Sequence, residues 1–566
     1  MLVREPLQVV EIRQPLCSRD FGVDPCLATG VKCFKTDFTC KFRAALDLTD
    51  EISLFFVSED AHRQTDAGYD PSTAIPLLKA VRTSPTVLNV AAGDRDISAL
   101  GQRAVANIQI GDKAYNDVGI DPHVNDRTHP LPGTLWGRWL KRNPFYVGYT
   151  VIVYDGYRGD ELADMVKREY FMSKIDRRSD GVMITTKDIL RKITDNDVKL
   201  PAQSPGVLSG DLDTAPTTFQ ISGAVEADYP APGWVRIGDE VISYAAVSTV
   251  GTNVQLSGGA RSQLRTENES HSQGDTVQWV LAYEQEPFQD ILYDMSVRTG
   301  VDAYIDKADW DEEQQEWRPL YIFTGYVTEP TKVSKLMSEV LTQAQSNIWW
   351  DERVQMIIMR AQRPNFFPST ISEVGQIVAD SLSIKDESKE RVTQVSAHYN
   401  LRSPVHDPDK IASYATSAVT IDVDRQTQYG EPAEKDIFCR WINTALLASI
   451  MSESYLNRFK DIRQKVQFSM TAKDAETYWT GDVAKLQHWM LQDQYGEDLI
   501  TQWIITSSET VEHGDLYKYT AEDNASAGLI WEWLEDGNTD PTTEVGAWVD
   551  EDGTDGAGNV LPFGWI

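Results

Sequence analysis

The stretch WVRIGDEVISYAAV, residues 234–247, alternates repeatedly between apolar and polar side chains, with a Gly-Asp pair in its middle. A period of two places successive side chains on opposite faces of a strand, and glycine next to aspartate is typical of the turn between two strands. Nothing in this region has the spacing of a helix. The stretch therefore predicts strands joined by a turn, and the same pattern recurs through much of the chain.

Working outward, we find strand-like segments in ISLFFVS (52–58), VANIQI (105–110), YTVIVYDGY (149–157) and GVMITTKDIL (181–190), and two strands around a charged turn in NIWWDERVQMIIMRAQ (347–362). Helical spacing or helix-compatible charge is found in DELADMVKREYFMSK (160–174), PFQDILYDMSVRTGV (287–301), TKVSKLMSEVLTQAQ (331–345) and NTALLASIMSESYLNRFKDI (443–462). The sequence thus predicts a multidomain, mainly β protein with α+β parts.

Shifts in composition divide the chain into six predicted regions. They are an N-terminal segment with four cysteines (1–78), a β domain (79–203), an inserted small β module (204–283), an α/β domain (284–370), a second β-barrel-like domain (371–525) and an acidic, Gly-rich, extended tail (526–566). A chain of 566 residues is long enough for several cores of this size.

The formal net charge of −33 argues against a protein that grips nucleic acid or an anionic membrane, because both need a surplus of Lys and Arg. No window of about 18 residues is apolar and uncharged, so we expect no membrane span. The first residues lack the pattern of a secretory signal, and we expect the protein to be made and folded in a cytoplasm.

Four of the five cysteines, Cys17, Cys26, Cys33 and Cys40, fall within 24 residues. Three interpretations are open: a metal or cluster site with four thiolate ligands, two disulfides, or free thiols. The spacing favours a metal site without naming the metal, since paired CxxC knuckles are absent and longer loops suit a bulky iron–sulfur cluster as well as zinc. Cys439 stands alone in an apolar strand and is expected in the core.

No HExxH, GxSxG or Gly-rich phosphate-binding loop is present, so we predict that the protein is not an enzyme. Two weaker sites remain: the loop that holds His123 and His129 beside Asp121 and Asp126, and the acidic stretch DEDGTDGAG from Asp550, which resembles a calcium loop only loosely. For both, a solvated loop is the simpler interpretation. Trp234 and Tyr244 have the side chains to stack on a sugar, but core packing is expected of them.

The segment CSRDFGVDPCLATGVKCFKTDFTC, residues 17–40, resembles the start of a family of tail-tip (baseplate) hub proteins of siphophages and gene transfer agents. The likeness continues in the same order through RTSPTVLNVAAG, GTLWGRW, YTVIVYDGY, GVMITTKDIL, IGDEVISY, SHSQGDTVQW, IWWDERVQMIIMRAQRP and TGDVAKL. The cysteine phrase and IWWDE are its most specific parts.

The resemblance implies a structural virion protein whose regions 79–203, 284–370 and 371–525 are hub domains. Such hubs form a homotrimer at the tail tip, after assembly in the host cytoplasm. Their partners are the distal tail protein, the tape-measure protein and a tail fibre or receptor-binding protein, and genomic DNA passes through them without specific binding. The tail-tip attachment protein of lambda-like phages carries an iron–sulfur cluster on four cysteines. The same role for Cys17, Cys26, Cys33 and Cys40 implies a cluster, 4Fe-4S in type, with zinc as the alternative.

Two other functions remain as alternatives. The chain could be a virion-associated cell-wall hydrolase with an unrecognised acidic site, or it could bind host glycans through the inserted module at 204–283. Neither has a motif of its own in the sequence.

Overall fold

The computed structural model describes residues 5–61, 73–89, 100–101, 104–128, 131–190, 193, 198–363, 365, 368–471, 477–512, 515–524, 532–533 and 548–549. The predicted fold class is confirmed, because strands dominate these ranges and helices are few. No helix in these ranges is both long enough and apolar enough to span a membrane. Short 3-10 helices are found at Arg43–Ala45, Val124–Asp126, Glu226–Asp228, Gln263–Arg265, Asp302–Tyr304, Ser388–Glu390 and Ile411–Ser413.

The N-terminal part of the chain forms a seven-stranded sheet of order β2-β1-β5-β6-β7-β4-β3. Its strands are β1 (Pro6–Leu16), β2 (Asp50–Val57), β3 (Leu78–Ser84), β4 (Val105–Ile110), β5 (Thr150–Tyr157), β6 (Val166–Arg178) and β7 (Gly181–Lys187). Ile75, just before β3 at one edge, exchanges backbone hydrogen bonds with Phe55 and Val57 of β2 at the other edge, at 2.8 and 3.0 Å. The two edges are therefore tied together, and the sheet curls towards a barrel.

One short helix, α1 (Leu135–Arg142), supplies two fully buried tryptophans, Trp136 and Trp139, to the core of this sheet. Thr134 caps the helix by accepting the Gly137 N–H at 3.3 Å. The Trp139 Nε1–H donates to the Gln14 side chain of β1 at 2.7 Å, which fixes the helix to the sheet. The sequence does not predict this helix, since eight residues are too few for a helical period to stand out.

The helix predicted at 160–174 is wrong, because most of this stretch belongs to strand β6, which pairs with β5 on one side and β7 on the other. Its charges match a helix dipole, but Tyr170, Phe171 and Met172 are all buried. A strand with sheet neighbours on both sides and apolar layers on both faces buries such a run completely, and that burial outweighs the charge pattern.

Residues 199–287 form most of two four-stranded sheets, of orders β13-β14-β10-β9 and β12-β11-β15-β16, the last strand being β16 (Ile322–Val327). Their strands from this stretch are β9 (Val207–Leu208), β10 (Phe219–Ser222), β11 (Gly233–Ile237), β12 (Glu240–Tyr244), β13 (Ala246–Val250), β14 (Asn253–Ser257) and β15 (Gln278–Pro287). The short strand β8 (Lys199–Leu200) pairs instead with β17 (Thr331–Lys332). The stretch WVRIGDEVISYAAV, residues 234–247, contains the hairpin β11–β12, in which Ile237 lies opposite Glu240. The strands and the turn predicted for this stretch are therefore confirmed.

Helices enter in the middle of the chain: α2 (Phe288–Thr299), α3 (Lys307–Trp317) and α4 (Val333–Ala344), with strands β16 (Ile322–Val327), β17 (Thr331–Lys332), β18 (Ser346–Asp351) and β19 (Met356–Ala361). The helices predicted at 287–301 and 331–345 are confirmed, as is the pair of strands around a charged turn. Gly300 ends α2 with φ 71°, the left-handed conformation that glycine adopts without strain. Helix α3 was not predicted.

The C-terminal half holds a three-stranded sheet of order β23-β22-β24 and a six-stranded sheet of order β20-β26-β27-β28-β25-β21. Its elements are β20 (Thr370–Ser372), β21 (Ser383–Glu387), β22 (Gln394–Leu401), β23 (Tyr414–Ile421), α5 (Val423–Tyr429), β24 (Glu434–Cys439), α6 (Ala445–Phe459), β25 (Arg463–Thr471), β26 (Val483–Gln487), β27 (Thr501–Glu512), β28 (Leu516–Asp523), β29 (Glu532–Trp533) and β30 (Trp548–Val549). Helix α6 confirms the helix predicted at 443–462. Apart from β29 and β30, the tail predicted at 526–566 lies outside the described residues.

The predicted domain boundaries remain a prediction, but two of them divide sheets. The seven-stranded sheet takes strands from both sides of the boundary at 78/79, and β16 joins the sheet of the inserted module across 283/284. The largest apolar core draws buried side chains from Leu100 to Phe459.

Candidate metal centre

The cysteine segment, residues 17–40, lies in the connection between β1 and β2. Cys17 follows directly after β1, and its N–H donates to the Lys35 carbonyl at 2.7 Å, so the segment folds back on its own start. The Cys26 N–H donates to the Val23 carbonyl at 2.7 Å and the Cys40 N–H to the Asp37 carbonyl at 3.3 Å. Cys26 and Cys40 therefore each end a tight turn, and both turns belong to a loop without regular secondary structure.

The four cysteines of the segment lie on one loop, and the charges of three of them reach the Cys40 thiol. Cys17, Cys26 and Cys33 are buried, Cys40 is partly exposed, and all are free thiols. Burial raises the pKa of the Cys40 thiol, and the charges of Cys17, Cys33 and Cys26 raise it further. Four thiolates brought together repel one another, and a bound cation would relieve that repulsion.

The residues fit a group held by thiolates in their donor chemistry, although the structure does not bring them into the arrangement of a metal site. Four sulfurs are the ligand set of an iron–sulfur cluster and of a structural zinc ion. Val23, Leu27, Val31 and Phe38 are 57–76% exposed, so the segment has few apolar side chains to hold it together. No three His, Cys, Asp or Glu side chains in the described ranges are arranged to hold a metal ion.

Two arginines from outside the segment hold it against the barrel by stacking on the Phe34 ring. The guanidinium carbons of Arg127 and Arg142 lie 3.8 and 3.9 Å from the centre of the Phe34 ring. Arg127 also donates to the carbonyls of Lys32 and Cys33, at 2.9 and 3.0 Å. These contacts place two positive charges on the Phe34 ring, and one of them also on the Cys33 backbone.

Buried carboxylates in turn hold the arginines. Arg142 and Arg138 both donate to the buried Asp117, at 2.7 and 2.6 Å. The Thr36 hydroxyl donates to the Arg142 carbonyl at 2.8 Å, so the segment is tied to the last residue of α1. The support of the cysteine segment therefore runs through α1 into the barrel core.

The loop singled out for His123 and His129 has a different role from the one considered for it. Asp121 is buried and accepts from Arg127 at 2.6 Å, and Asp126 lies 3.1 Å from the Lys32 Nζ. Asp121 thus binds an arginine that holds the cysteine segment, and Asp126 binds a lysine of the segment itself, which is a structural use of the loop. His129 lies outside the described residues.

The other candidate residues of the sequence are core residues or lie outside the described ranges. Cys439 is fully buried, and burial raises the pKa of its thiol strongly, so it is a core residue as expected. Tyr244 is also buried and donates to the Pro230 carbonyl at 2.6 Å, which leaves no ring face for a sugar. Trp234 packs edge-on against Tyr326. The acidic stretch from Asp550 lies outside the described residues.

One arrangement of side chains was not predicted from the sequence, because its three residues lie on three different strands. His398 of β22 has its Nδ1 2.7 Å from the Ser417 hydroxyl of β23 and its Nε2 3.0 Å from a carboxylate oxygen of Asp436 on β24. Ser, His and Asp in a row are the side chains of a hydrolase triad. No local motif could have revealed it, since the strands that align them are paired only in the fold.

The row differs from a catalytic triad in two respects. In a triad the serine faces Nε2 and a buried aspartate faces Nδ1, whereas here the two nitrogens are exchanged. The Asp436 side chain is also 54% exposed. The row therefore has the form of a cross-strand ladder of hydrogen bonds that ties β22 to both of its neighbours.

No family model and no curated protein matches this chain. Among solved structures it is similar to the 43 kDa tail protein of prophage MuSo2 from Shewanella oneidensis, with 8% identity and a TM-score of 0.38 over 80% of this chain and 98% of that chain. A tail protein from Neisseria meningitidis MC58 is similar over 79% of this chain and 97% of that chain, with 7% identity and a TM-score of 0.36. A chain from the virion of a native gene transfer agent has 11% identity and a TM-score of 0.32, over 61% of this chain and 88% of that chain.

Proposed function

We propose that the protein is a structural subunit of a phage-like tail, a trimeric hub at the tail tip. The observation that carries the proposal is the cysteine segment, because the most specific phrase of the resemblance also holds four free cysteines on one loop. The rest of the resemblance follows, in chain order, strands of the barrel with helix α1, strands of the inserted module, the β18–β19 hairpin and β26.

In this role the chain is a rigid adaptor. Its buried core of tryptophans and aliphatic side chains suits a part that transmits force without deforming. Its partners would be two further copies of itself, the distal tail protein, the tape-measure protein and a fibre or receptor-binding protein. A chain with a net charge of −33 would let genomic DNA pass without specific binding, since its carboxylates outnumber its Lys and Arg side chains.

Cys17, Cys26, Cys33 and Cys40 would hold an iron–sulfur cluster, 4Fe-4S in our proposal, with zinc as the alternative. When bound, the group would cross-link four points of a segment that has few apolar contacts of its own. Arg127 and Arg142 would offset the negative charge of the thiolates and keep the loop against α1. The proposed role of the centre is structural, as a staple for folding.

Two sets of measurements test these proposals separately. For the tail role, particles are purified and the chain is located by mass spectrometry and by immunogold labelling, and its mass in solution is measured by sedimentation. Absence from the tail overturns the hub, and a stable monomer overturns the trimer. For the centre, iron, sulfide and zinc are measured on anaerobically purified protein together with its visible absorption. Colourless protein with bound zinc, or with two disulfides, overturns the cluster and leaves the hub standing.

The second candidate function, a virion-associated hydrolase, now has a specific observation in the row Ser417–His398–Asp436. Hydrolysis of an activated ester and lysis of host cell wall in a zymogram test it, with Ser417→Ala as the matched variant. Activity that the wild type has and Ser417→Ala lacks would establish the hydrolase. We expect no activity in either, because the nitrogens of His398 are exchanged relative to a triad.

A further inference from the structure

A cavity of about 370 Å³ lies between the β18–β19 hairpin and the six-stranded sheet of the C-terminal half. One face of the hairpin forms one wall, and the turn before β26 with part of β27 forms the other. Val354, in the hairpin turn, is 57% exposed and marks where the cavity meets solvent. Its volume is in the range of about 300–1,000 Å³ that small-molecule sites have.

The alternation of β18 divides the phrase IWWDE, residues 348–352, between this cavity and the core. Asn347, Trp349 and Asp351 line the cavity, while Ile348 and Trp350 belong to the largest apolar core. Successive side chains of a strand point to opposite faces, so the two neighbouring tryptophans have different surroundings. Core packing therefore accounts for one face of this strand and leaves the other to be explained.

Two polar side chains on the cavity face are buried without a hydrogen-bond partner. Asn347 is 4% exposed and Trp349 is 5% exposed. Among the described residues, neither the Asn347 Oδ1 nor the Trp349 Nε1–H has a partner. A buried donor or acceptor that stays unpaired costs free energy. Because both side chains line the cavity, one ligand there can satisfy both of them.

The Trp349 ring is held in place by a close contact with the opposite wall. Gly481 has a φ of 95°, and a Cβ added to it would lie 2.3 Å from the indole, so only glycine allows this contact. Leu88 and Ile504 pack on the same ring in a small apolar cluster. The Nε1–H donor is therefore fixed in a preformed and partly apolar site.

The charges of the cavity are already balanced, which favours a neutral ligand. Its four charged side chains each have a partner that is not part of the lining: Arg360 with Asp309, Arg363 with Glu313, Asp351 with Arg353, and Asp482 with the Trp479 N–H. The groups left for a ligand are a neutral acceptor and a neutral donor. A phosphate, a carboxylate or a metal ion does not match this pair.

A secondary amide matches the pair in chemistry and in spacing. Asn347 and Trp349 are two residues apart on one face of β18, which separates their backbones by about 6.6 Å. A trans amide points its N–H and its carbonyl in opposite directions, so it can bridge an acceptor and a donor placed in this way. An acetamido group also brings a methyl group for the apolar cluster of Leu88 and Ile504.

The position of the free groups favours a sugar over a peptide as the carrier of this amide. A peptide that adds to a sheet bonds to backbone groups at the edge of a strand. Here the free groups are side chains on the face of β18, between two packed layers. Thr480 and Asn365 add polar groups to the same lining, which suit the hydroxyls of a sugar ring.

We propose that the cavity binds an N-acetylated hexosamine, whose acetamido N–H donates to the Asn347 Oδ1 and whose carbonyl accepts the Trp349 Nε1–H. The acetyl methyl group lies against Leu88 and Ile504, and ring hydroxyls face Thr480 and Asn365. This site is separate from the inserted module. It does not rest on the tail function, because it follows from the hairpin and the six-stranded sheet alone.

Saturation-transfer NMR of the full chain with N-acetylglucosamine tests the proposal. We expect a Kd of about 1 mM, the order that suits a ligand with so few atoms. The acetyl methyl protons should receive the most saturation, because they lie among apolar side chains. Glucose, with a hydroxyl in place of the acetamido group, is the matched control ligand. It should bind at least about tenfold more weakly, because one hydroxyl does not reach both free groups.

Two variants remove the free groups one at a time. Trp349→Phe keeps an aromatic ring but loses the Nε1–H, and it should weaken N-acetylglucosamine binding about fivefold. Asn347→Leu keeps the volume but loses the acceptor, and it should weaken binding at least about tenfold. Trp350→Phe is the matched control: the Trp350 Nε1–H donates to the Glu169 carbonyl on the other face, so sugar binding should not change. Thermal unfolding checks that each variant is folded.

The source of the sugar is read from two further ligands, N-acetylgalactosamine and the cell-wall disaccharide of N-acetylglucosamine and N-acetylmuramic acid. Tighter binding of either one supports the site and names its source. The proposal is overturned if N-acetylglucosamine binds no better than glucose, which needs no variant to measure. It is also overturned if Trp349→Phe and Asn347→Leu bind as wild type does. N-acetylalanine methylamide binding as tightly as the sugar would assign the cavity to a peptide instead.

Discussion

The cysteine segment and the inserted β module stabilise polar stretches in opposite ways. The module closes two small sheets over an apolar core that includes Tyr229, Tyr244 and Leu256. Within it, Glu240 is fully buried and accepts from Arg261 at 2.9 and 2.6 Å, with His271 Nε2 at 2.9 Å. The cysteine segment leaves most of its apolar side chains exposed and is gripped from outside by Arg127 and Arg142.

The difference shows where each region finds the free energy to order its backbone. The module has area to bury, and its charged network is satisfied internally. The segment has little such area, so external contacts and, in our proposal, a metal centre supply what is missing. Each prediction below removes one of these supports, and the first should have the largest effect.

Cys26→Ser should abolish the proposed cluster, because one lost thiolate leaves an incomplete ligand set. Structural thiolate sites supply about 10–16 kcal/mol in zinc peptides, so the whole segment should lose its protection from proteolysis. Bound iron and proteolytic cleavage within residues 17–40 are the measurements. Cys439→Ala is the matched control: it removes a buried thiol from the core and should leave iron content unchanged. Equal iron in Cys26→Ser and wild type would contradict the proposal.

The two regions were predicted from different features of the sequence. The module was predicted from alternation along the chain, and β11 and β12 are where that pattern places them. The segment was found from local density of cysteine, which needs no periodicity. Its supports were missed, because Arg127 and Arg142 follow Phe34 by about a hundred residues and nothing in the sequence pairs them.

The remaining errors have the same physical origin. The stretch at 160–174 has charges that suit a helix, but its neighbours β5 and β7 decide that it is a strand. Residues Ser417, His398 and Asp436 meet only after β22 pairs with both of its neighbours. Local pattern therefore predicted elements, while contacts between distant elements required the fold.

Arg261→Met should destabilise the module by about 3–5 kcal/mol, because it leaves the buried Glu240 carboxylate without its main partner. Burial opposes ionisation of Glu240, but the hydrogen bonds from Arg261 and His271 outweigh it and hold its pKa below the usual value. Denaturant unfolding measures the loss. Arg265→Met, in the same loop but exposed, should change stability by less than about 0.5 kcal/mol. A loss under about 1 kcal/mol for Arg261→Met would show that the network matters little.

Glu352 is a buried carboxylate whose pKa is shifted in the opposite direction from that of Glu240. Burial raises its pKa to about 7, against the attraction of Arg168. The folded state therefore holds a proton that the unfolded state has lost between pH 4.5 and about 7, so stability falls as pH rises through this range. Glu352→Gln should leave stability nearly unchanged at pH 4.5 and raise it by up to about 3 kcal/mol at pH 8. Denaturant unfolding of Glu352→Gln and of the wild type at both pH values measures the change in stability. An equal gain in stability at pH 4.5 and pH 8 would contradict the raised pKa of Glu352.

The smallest effect is expected where the cysteine segment meets the barrel. Phe34→Leu keeps an apolar side chain between Arg127 and Arg142 but removes the ring on which both guanidiniums stack. Two partly desolvated cation–π contacts are together worth about 1–2 kcal/mol, and that is the expected loss. Phe38→Leu is the control, since Phe38 is 57% exposed and contacts only another exposed ring, Phe145, among its aromatic neighbours in the described residues.

Two measurements on Phe34→Leu, iron content and amide hydrogen exchange, distinguish contacts that hold the segment from outside from a metal centre that cross-links it from within. If the arginines act only as a grip, iron content stays at the wild-type level while amide exchange across residues 17–40 accelerates. If the same variant also loses iron, the guanidiniums are part of what makes four neighbouring thiolates tolerable, because their charge offsets that of the sulfurs. Unchanged exchange and unchanged iron would mean that the contacts of Arg127 with the carbonyls of Lys32 and Cys33 suffice to hold the loop. The ring between the guanidiniums would then be packing alone.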